Sequence, residues 1–265
     1  MKMFYLRAPL VVIWVILAII ATSARLVLRP WDPDTDRIFL RLLRMGSQII
    51  VPLQIEVEGR EYLGLHRPCV LAANHQHILD ALAMSEIFPR DTVVTGKIEI
   101  RKIPLLGWAF DRAGNVWLDR SNHQAAFTSL QDVGQRMQQQ KINLWIFPEG
   151  HLNKQEQDLQ PFKKGAFYTA IQLGIPIVPI VFSPSYFLNI ERRRLQPGRI
   201  WIRVLAPIPT SQLSIDDVNV LLTETYQRMH QTYVELAALT SPESYDQKHG
   251  TSTLAPTQEP HSFQK

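Results

Sequence analysis

The sequence predicts an α/β fold, a mostly parallel layered sheet flanked by helices, behind an N-terminal membrane-anchoring helical segment. Three observations predict it. Short β-rich runs alternate with helical stretches, as in a sheet whose strands are joined by crossover helices. The residues able to do chemistry fall just after those runs, where open α/β sheets gather their sites. Residues 8–24 carry no charge and are dense in Leu, Val, Ile and Trp.

The apolar stretch 8–24 follows Lys2 and Arg7 and precedes Arg25 and Arg29. It is near the short limit for a spanning helix. A cleavable leader is the competing reading, since Thr22, Ser23 and Ala24 could form a small-residue cleavage site. A retained anchor is expected, because the chain beyond it has a lone cysteine and more basic residues, which suits the cytoplasmic side of an inner membrane. Basic residues on both flanks leave open whether the helix crosses the bilayer or dips into one leaflet.

Trp31, Asp32, Pro33 and Asp34 break the chain. A second helix is expected over 35–48, with Arg37, Arg41 and Arg44 on one stripe and Ile38, Leu42 and Met45 on another. Beside an apolar anchor this suits an amphipathic helix on anionic lipid, although a surface helix with a solvated basic face has the same pattern. Residues 1–50 are thus read as the anchor with its amphipathic helix.

From Leu53 the pattern becomes α/β. Leu53, Ile55 and Val57 alternate as in a half-buried strand. Residues 70–73, 92–95, 142–147, 177–182 and 200–205 also read as strands. Helices are expected over 123–138, with Phe127, Leu130, Val133 and Met137 on one side, over 165–173, and as a closing helix over 215–236. This assigns 51–240 to one α/β domain. The polar stretch 241–265 is expected to be a disordered tail.

Composition limits the function classes. Of 265 residues, 46% are hydrophobic and 20% charged, enough apolar material for a sizeable core and against general disorder. The net charge of +4 suits an anionic lipid or an anionic substrate. Nucleic acid would suit that charge too, but no motif of recognised spacing supports it, so no nucleic-acid partner is expected. The single cysteine, Cys69, excludes an intrachain disulfide and reads as a small core residue.

Two motifs carry the chemistry. Residues 74–80 read N-H-Q-H-I-L-D and residues 147–150 read F-P-E-G. A hydroxyl becomes nucleophilic when a neutral imidazole takes its proton and a carboxylate fixes the imidazole tautomer. His75 and Asp80 are the candidates. Five residues on an ideal helix turn through about 500°, so these side chains would diverge by roughly 140°. They meet only if His75 precedes a helix and Asp80 lies in its first turn, where a carboxylate is favoured by the helix dipole. His77, three residues from Asp80, is the rival base. No G-x-S-x-G elbow supplies a covalent nucleophile, and no Cys cluster or H-E-x-x-H completes a metal site. Lys97, Arg120, Lys163 and Lys164 follow strand ends or precede a helix, so they could share one phosphate pocket.

With these blocks in order, the chain resembles the 1-acyl-glycerol-3-phosphate acyltransferases within the larger glycerolipid acyltransferase family. N-H-Q-H-I-L-D matches the family's N-H-x-x-x-x-D block. G-N-V-W-L-D-R at 114–120, F-P-E-G at 147–150 and I-P-I-V-P-I at 175–180 match the next three, and F-K-K-G-A-F at 162–167 resembles the stretch between the last two. The resemblance implies that His75 deprotonates the sn-2 hydroxyl of a lysophosphatidate while Asp80 orients it. The alkoxide would attack an acyl thioester, acyl-coenzyme A or acyl carrier protein, with no cofactor and no metal. It also implies that Glu149, with Gly150, organises the acceptor site, and that Lys97, Arg120 and Lys163 lie near the phosphate. The implied partners are a lysophospholipid acceptor, a thioester donor and membrane lipid.

One departure stands out. The family's third block continues F-P-E-G-T-R, whose arginine binds phosphate, whereas here His151 and Leu152 follow. Leucine donates no hydrogen bond. Acceptor binding should therefore weaken unless His151, Lys154 or Lys163 compensates, and the alternatives are a related acyltransferase with another lysophospholipid acceptor or a non-catalytic lipid-binding member of the fold.

Overall fold

The computed structural model describes residues 2–77, 79–153, 158–190 and 192–240. The expected tail and Lys154 lie outside them. The first helix, α1 (Lys2–Leu28), extends past both ends of the apolar stretch read from the sequence. It is long and apolar enough to cross a membrane. The second, α2 (Asp34–Ile50), folds back onto it. Their approach is close. Trp14 Nε1 donates to the Leu42 carbonyl at 2.7 Å, and a Cβ on Gly46 would lie only 2.1 Å from that same nitrogen. Glycine at 46 is what admits the indole. Near the other ends of α1, Arg7 donates to the Leu195 carbonyl at 2.8 Å and Arg25 pairs with Asp32 at 2.6 Å. One face of α1 remains uncovered: Leu6, Leu10, Ile13, Leu17 and Ile20, spaced as a helical stripe, are each about half exposed.

The face that α2 buries lies outside the two stripes read from the sequence. Its buried residues are Thr35, Leu40, Leu43, Gly46 and Ser47, while Met45 is exposed. The reason is that α2 is covered on two sides, by α1 and by a later helix, so the buried face is wider than one stripe. Arg44 leaves the basic face and turns towards Glu86, at 3.7 Å.

The remaining chain runs through β1 (Leu53–Glu58), β2 (Val70–Ala73), α3 (Asp80–Ile87), β3 (Thr92–Lys97), α4 (Leu106–Arg112), β4 (Val116–Leu118) and α5 (His123–Gln140). Then follow β5 (Asn143–Ile146), α6 (Gly165–Leu173), β6 (Ile177–Phe182), the short strands β7 (Leu188–Asn189) and β8 (Arg194–Leu195), β9 (Gly198–Val204) and α7 (Val218–Thr240). Seven strands form one sheet in the order β1-β9-β6-β2-β5-β3-β4. Every neighbouring pair is parallel except β6 and β9. β7 and β8 form a separate hairpin.

Strand β2 shows how the sequence makes layers. Successive side chains of a strand point to opposite faces. Val70 and Ala72 join a core with Phe167, Met137 and Tyr233 from α5, α6 and α7. Leu71 and Ala73 join another with Leu43, Met84 and Phe88, on the side of α2 and α3. Both faces of the strand are fully buried, as its continuous apolar run requires. Cys69, at its foot, is buried, and burial pushes its thiol up to about 12, so it is an inert core group. The helices are closed by local chemistry: the Asn122 side chain accepts from Ala125 N at 3.0 Å to start α5, and Gly174 at φ 62 ends α6.

Candidate active site

Four parallel strands adjacent in the sheet, β2, β5, β3 and β4, each lead into one candidate group. β2 leads into His75 and Asp80, β5 into Glu149 and Gly150, β3 ends on Lys97, and β4 stops two residues before Arg120. Parallel pairing puts all four on the C-terminal edge of the sheet. With strands about 4.8 Å apart, Lys97 starts roughly 10 Å from the His75 loop across the sheet.

The loop 74–77 is fastened to the end of β6. Asn74 is fully buried; its side chain accepts from Phe182 N at 2.7 Å and donates to Phe182 O at 3.1 Å. Gln76 donates to the carbonyls of Phe182 and Ser183. The chain then enters α3 at Asp80, so His75 precedes the helix and Asp80 begins it. The two side chains converge: His75 Nδ1 lies 2.8 Å from Asp80 Oδ2. The same oxygen accepts from Gln76 N at 2.7 Å and His77 N at 3.1 Å. Asp80 is 5% exposed. Burial, the largest single influence, pushes its pKa up, but the charges and hydrogen bonds of His77 and His75 outweigh it and hold the carboxyl below the usual range.

A carboxylate oxygen only accepts, so Nδ1 of His75 carries the proton and Nε2 presents its lone pair. Among the described residues no hydrogen bond is given to Nε2. The ring is clamped by Phe147, stacked at a centroid distance of 3.9 Å and 15°. His77 is differently placed. Its Nε2 is taken by Ser185 Oγ at 2.8 Å, and its Nδ1 lies 3.2 Å from Asp80 Oδ1 in an alignment too poor for a hydrogen bond. The rival base therefore has a partner where His75 has an open nitrogen.

Glu149 points inward. It is fully buried, with Oε1 accepting from His75 N at 2.7 Å and Oε2 from Gln160 N at 3.0 Å. Its pKa is pushed up to about 7, chiefly by burial and further by Asp80, against the two amide hydrogen bonds. Both oxygens serve the backbone, so Glu149 joins the His75 loop to the segment at Gln160. A second tie, Asn153 N to His75 O at 2.8 Å, closes the same junction. Gly150 closes the F-P-E-G turn at φ 75, with its N–H on the Phe147 carbonyl at 3.0 Å. Lys163 lies against it: a Cβ on Gly150 would sit 3.3 Å from Lys163 Cγ. The Lys163 N–H donates to the Pro148 carbonyl at 2.7 Å, and its side chain is exposed.

The basic rim is looser. Lys97 Nζ is 3.2 Å from Glu99, both about half exposed. Arg120 is exposed overall; partial desolvation lowers its guanidinium pKa and the charge of Glu99 raises it. Glu99 thus faces both cations. Sequence reasoning missed Glu99, Ser185 and Gln160. None sits in a spaced motif; Glu99 follows Lys97 by two positions, while Ser185 and Gln160 reach this edge only through the fold. His151 and Leu152 are exposed. Among the described residues no set of three His, Cys, Asp or Glu side chains is arranged to hold a metal ion.

A buried acid, an imidazole with one free nitrogen and a rim of cations can activate a hydroxyl beside an anion. Comparison with known proteins agrees. A family model described as Acyltransferase matches residues 54–183. The 1-acyl-sn-glycerol-3-phosphate acyltransferase beta of Homo sapiens is 37% identical over 186 residues, 70% of this chain and 66% of that protein. The alpha form of Mus musculus is 35% identical over 200 residues, 75% of this chain and 70% of that protein. The crystal structure of the 1-acyl-sn-glycerophosphate (LPA) acyltransferase from Thermotoga maritima superposes with a TM-score of 0.68 at 20% identity, over 89% of this chain and 94% of that one, which shows the shared fold. By these matches the chain belongs to the 1-acyl-sn-glycerol-3-phosphate acyltransferase family and is an acyltransferase.

Proposed function

We propose that the protein moves a fatty acyl group from acyl-coenzyme A or acyl carrier protein to the sn-2 hydroxyl of 1-acylglycerol-3-phosphate, giving phosphatidic acid for phospholipid synthesis. The observation that carries this reading is His75, with Nδ1 committed to buried Asp80 and Nε2 open, on a rim that continues into Lys97 and Arg120. Nε2 takes the hydroxyl proton as the oxygen attacks the thioester carbonyl. The C–O bond forms, the C–S bond breaks, and the imidazolium returns the proton to the departing thiolate. Asp80 stabilises that imidazolium throughout. Lys97, Arg120 and Lys163 hold the acceptor phosphate, and Glu149 with Gly150 shapes the loop beside it. This chemistry calls for no cofactor.

Residues 51–240 form the acyltransferase unit in this reading, and residues 1–50 attach it to membrane lipid, on the cytoplasmic face of an inner membrane. The exposed stripe from Leu6 to Ile20 supports attachment. Packing of α1 on the body, where Arg7 donates to the Leu195 carbonyl and α4 lies against the helix, supports lying along one leaflet over crossing it.

Leu152 favours a second reading, in which the acceptor is another lysophospholipid, since no arginine follows the F-P-E-G turn. The deciding experiment assays the purified full-length protein with labelled acyl-coenzyme A and acyl carrier protein against a panel of lysolipids in vesicles. Lysophosphatidate as best acceptor is expected. A better rate with a larger head group selects the second reading, and no transfer to any hydroxyl sinks both.

A further inference from the structure

The segment after Lys97 reads I-E-I-R-K-I-P-L-L-G-W over 98–108. Beyond Glu99, which faces Lys97 and Arg120, it has no part in the machinery described above. It begins as a 3-10 turn, Ile98–Lys102, and runs into α4. Every residue from Glu99 to Leu105 is exposed, and so is Trp108. Four of these are large apolar side chains: Ile100 at 37%, Ile103 at 49%, Leu105 at 41% and Trp108 at 40%. A soluble surface scatters such residues singly. Here they are bunched within nine positions, with Arg101 and Lys102 between them. Arg101 is paired with Asp111 at 3.1 Å. Lys102 has no ion pair among the described residues.

Position adds to composition. α4 packs against α1, and Trp31 N, just past α1, donates to the Arg112 carbonyl that ends α4 at 2.6 Å. The bunched side chains therefore adjoin the helix whose apolar stripe is uncovered. Apolar residues with an indole and flanking cations are the make-up of a segment seated at the headgroup level of a bilayer. Anionic headgroups would also match the lysine among them.

We propose that Ile100, Ile103, Leu105 and Trp108 form a second membrane contact that enters the leaflet beside the active-site rim, with Lys102 on anionic headgroups. This rests on the membrane reading of α1 given above and goes beyond it. Because the segment starts where Lys97 ends, its insertion would bring the phosphate-binding edge of the sheet down to the headgroups. An acceptor could then be engaged without leaving the bilayer.

The test uses the full chain with a nitroxide attached at Leu105→Cys; buried Cys69 is screened from the reagent. Collision with oxygen and with a water-soluble nickel chelate is read on vesicles of phosphatidylcholine alone and mixed with phosphatidylglycerol. The inference expects the label to be reached by oxygen and shielded from nickel, more so with phosphatidylglycerol. A label at Glu56→Cys, on β1, should stay open to nickel. In parallel, Ile103→Ser combined with Trp108→Ser should weaken vesicle binding about tenfold. The same variant should leave turnover of a short-chain, monomeric acceptor unchanged. A protein that binds vesicles while the Leu105 label remains fully open to nickel overturns this inference and spares the membrane reading. A protein that binds no vesicle overturns both. Equal losses on vesicle and monomeric acceptors overturn it as well, by assigning the segment a structural role.

Discussion

The loop that carries His75 and the rim that carries Lys97 and Arg120 share one edge of one sheet but are held in different ways. In the loop, Asn74, Gln76, Asp80 and Glu149 are all buried, and each is hydrogen-bonded to backbone groups or to His75. On the rim, Lys97 pairs with half-exposed Glu99, and Lys163 lies exposed across Gly150. The difference matches two tasks. Proton transfer needs an imidazole fixed in one tautomer and one direction before the substrate arrives. Holding a phosphate needs charge that can adjust, and exposed cations do that at little stability cost. Substitutions in the loop should therefore act on the chemical step, and substitutions on the rim on acceptor affinity.

The largest effect should come from His75→Ala, which removes the proposed base. We expect kcat to fall on the order of 10²- to 10⁴-fold with a modest drop in melting temperature, since the stacking on Phe147 and the hydrogen bond to buried Asp80 are lost while Gln76 N and His77 N still serve that carboxylate. Asp80→Asn should approach the same loss, because an amide can present either a donor or an acceptor to Nδ1 and no longer stabilises the imidazolium. A full-rate Asp80→Asn enzyme would break the comparison.

Glu149→Gln comes next. One amide hydrogen must face either His75 N–H or Gln160 N–H, both donors, leaving a buried clash worth about 1–3 kcal/mol. We expect kcat to drop more than the acceptor KM changes, with a lower melting temperature. A pH readout sharpens this. The Glu149 pKa is raised from 4.5 to about 7, so between those values the native state holds a proton that the unfolded state has lost. Its contribution to stability is then complete below 4.5 and declines as pH rises through about 7, by on the order of 3 kcal/mol. Denaturant midpoints measured across that window should show a decline that Glu149→Gln lacks.

On the rim, Lys97→Ala should raise the acceptor KM about tenfold while kcat holds, and the gap should narrow as salt is added. A fall in kcat alone would move Lys97 out of the rim and into the chemical step. The smallest effect is expected of Leu152→Arg. It restores the family's cation to an exposed position and should lower the lysophosphatidate KM a few-fold. If it instead slows lysophosphatidate and leaves another lysolipid unaffected, the second acceptor reading gains.

The alternation that marks β1, and the apolar runs of β2, β5 and β6, were readable because one or both strand faces are buried along their whole length. The convergence of His75 and Asp80 was readable because it depends on local spacing at the start of α3. Other features depend on contacts far apart in sequence. That β9 inserts between β1 and β6, antiparallel to β6, follows from pairing that no local pattern encodes. The inward turn of Glu149 could not be seen either, since its partners His75 N and Gln160 N are backbone groups and leave no trace in residue identity.

The notch at Gly46 that receives Trp14 reaches beyond local packing. A hydrophobic leader of unrelated sequence grafted onto this catalytic body would attach it to lipid yet leave the notch empty and the Leu42 carbonyl without its indole donor. In the proposed membrane reading, attachment and the packing of the hairpin therefore depend on the same pair of helices. Chimaeras between relatives should survive only when both helices of the hairpin are exchanged together.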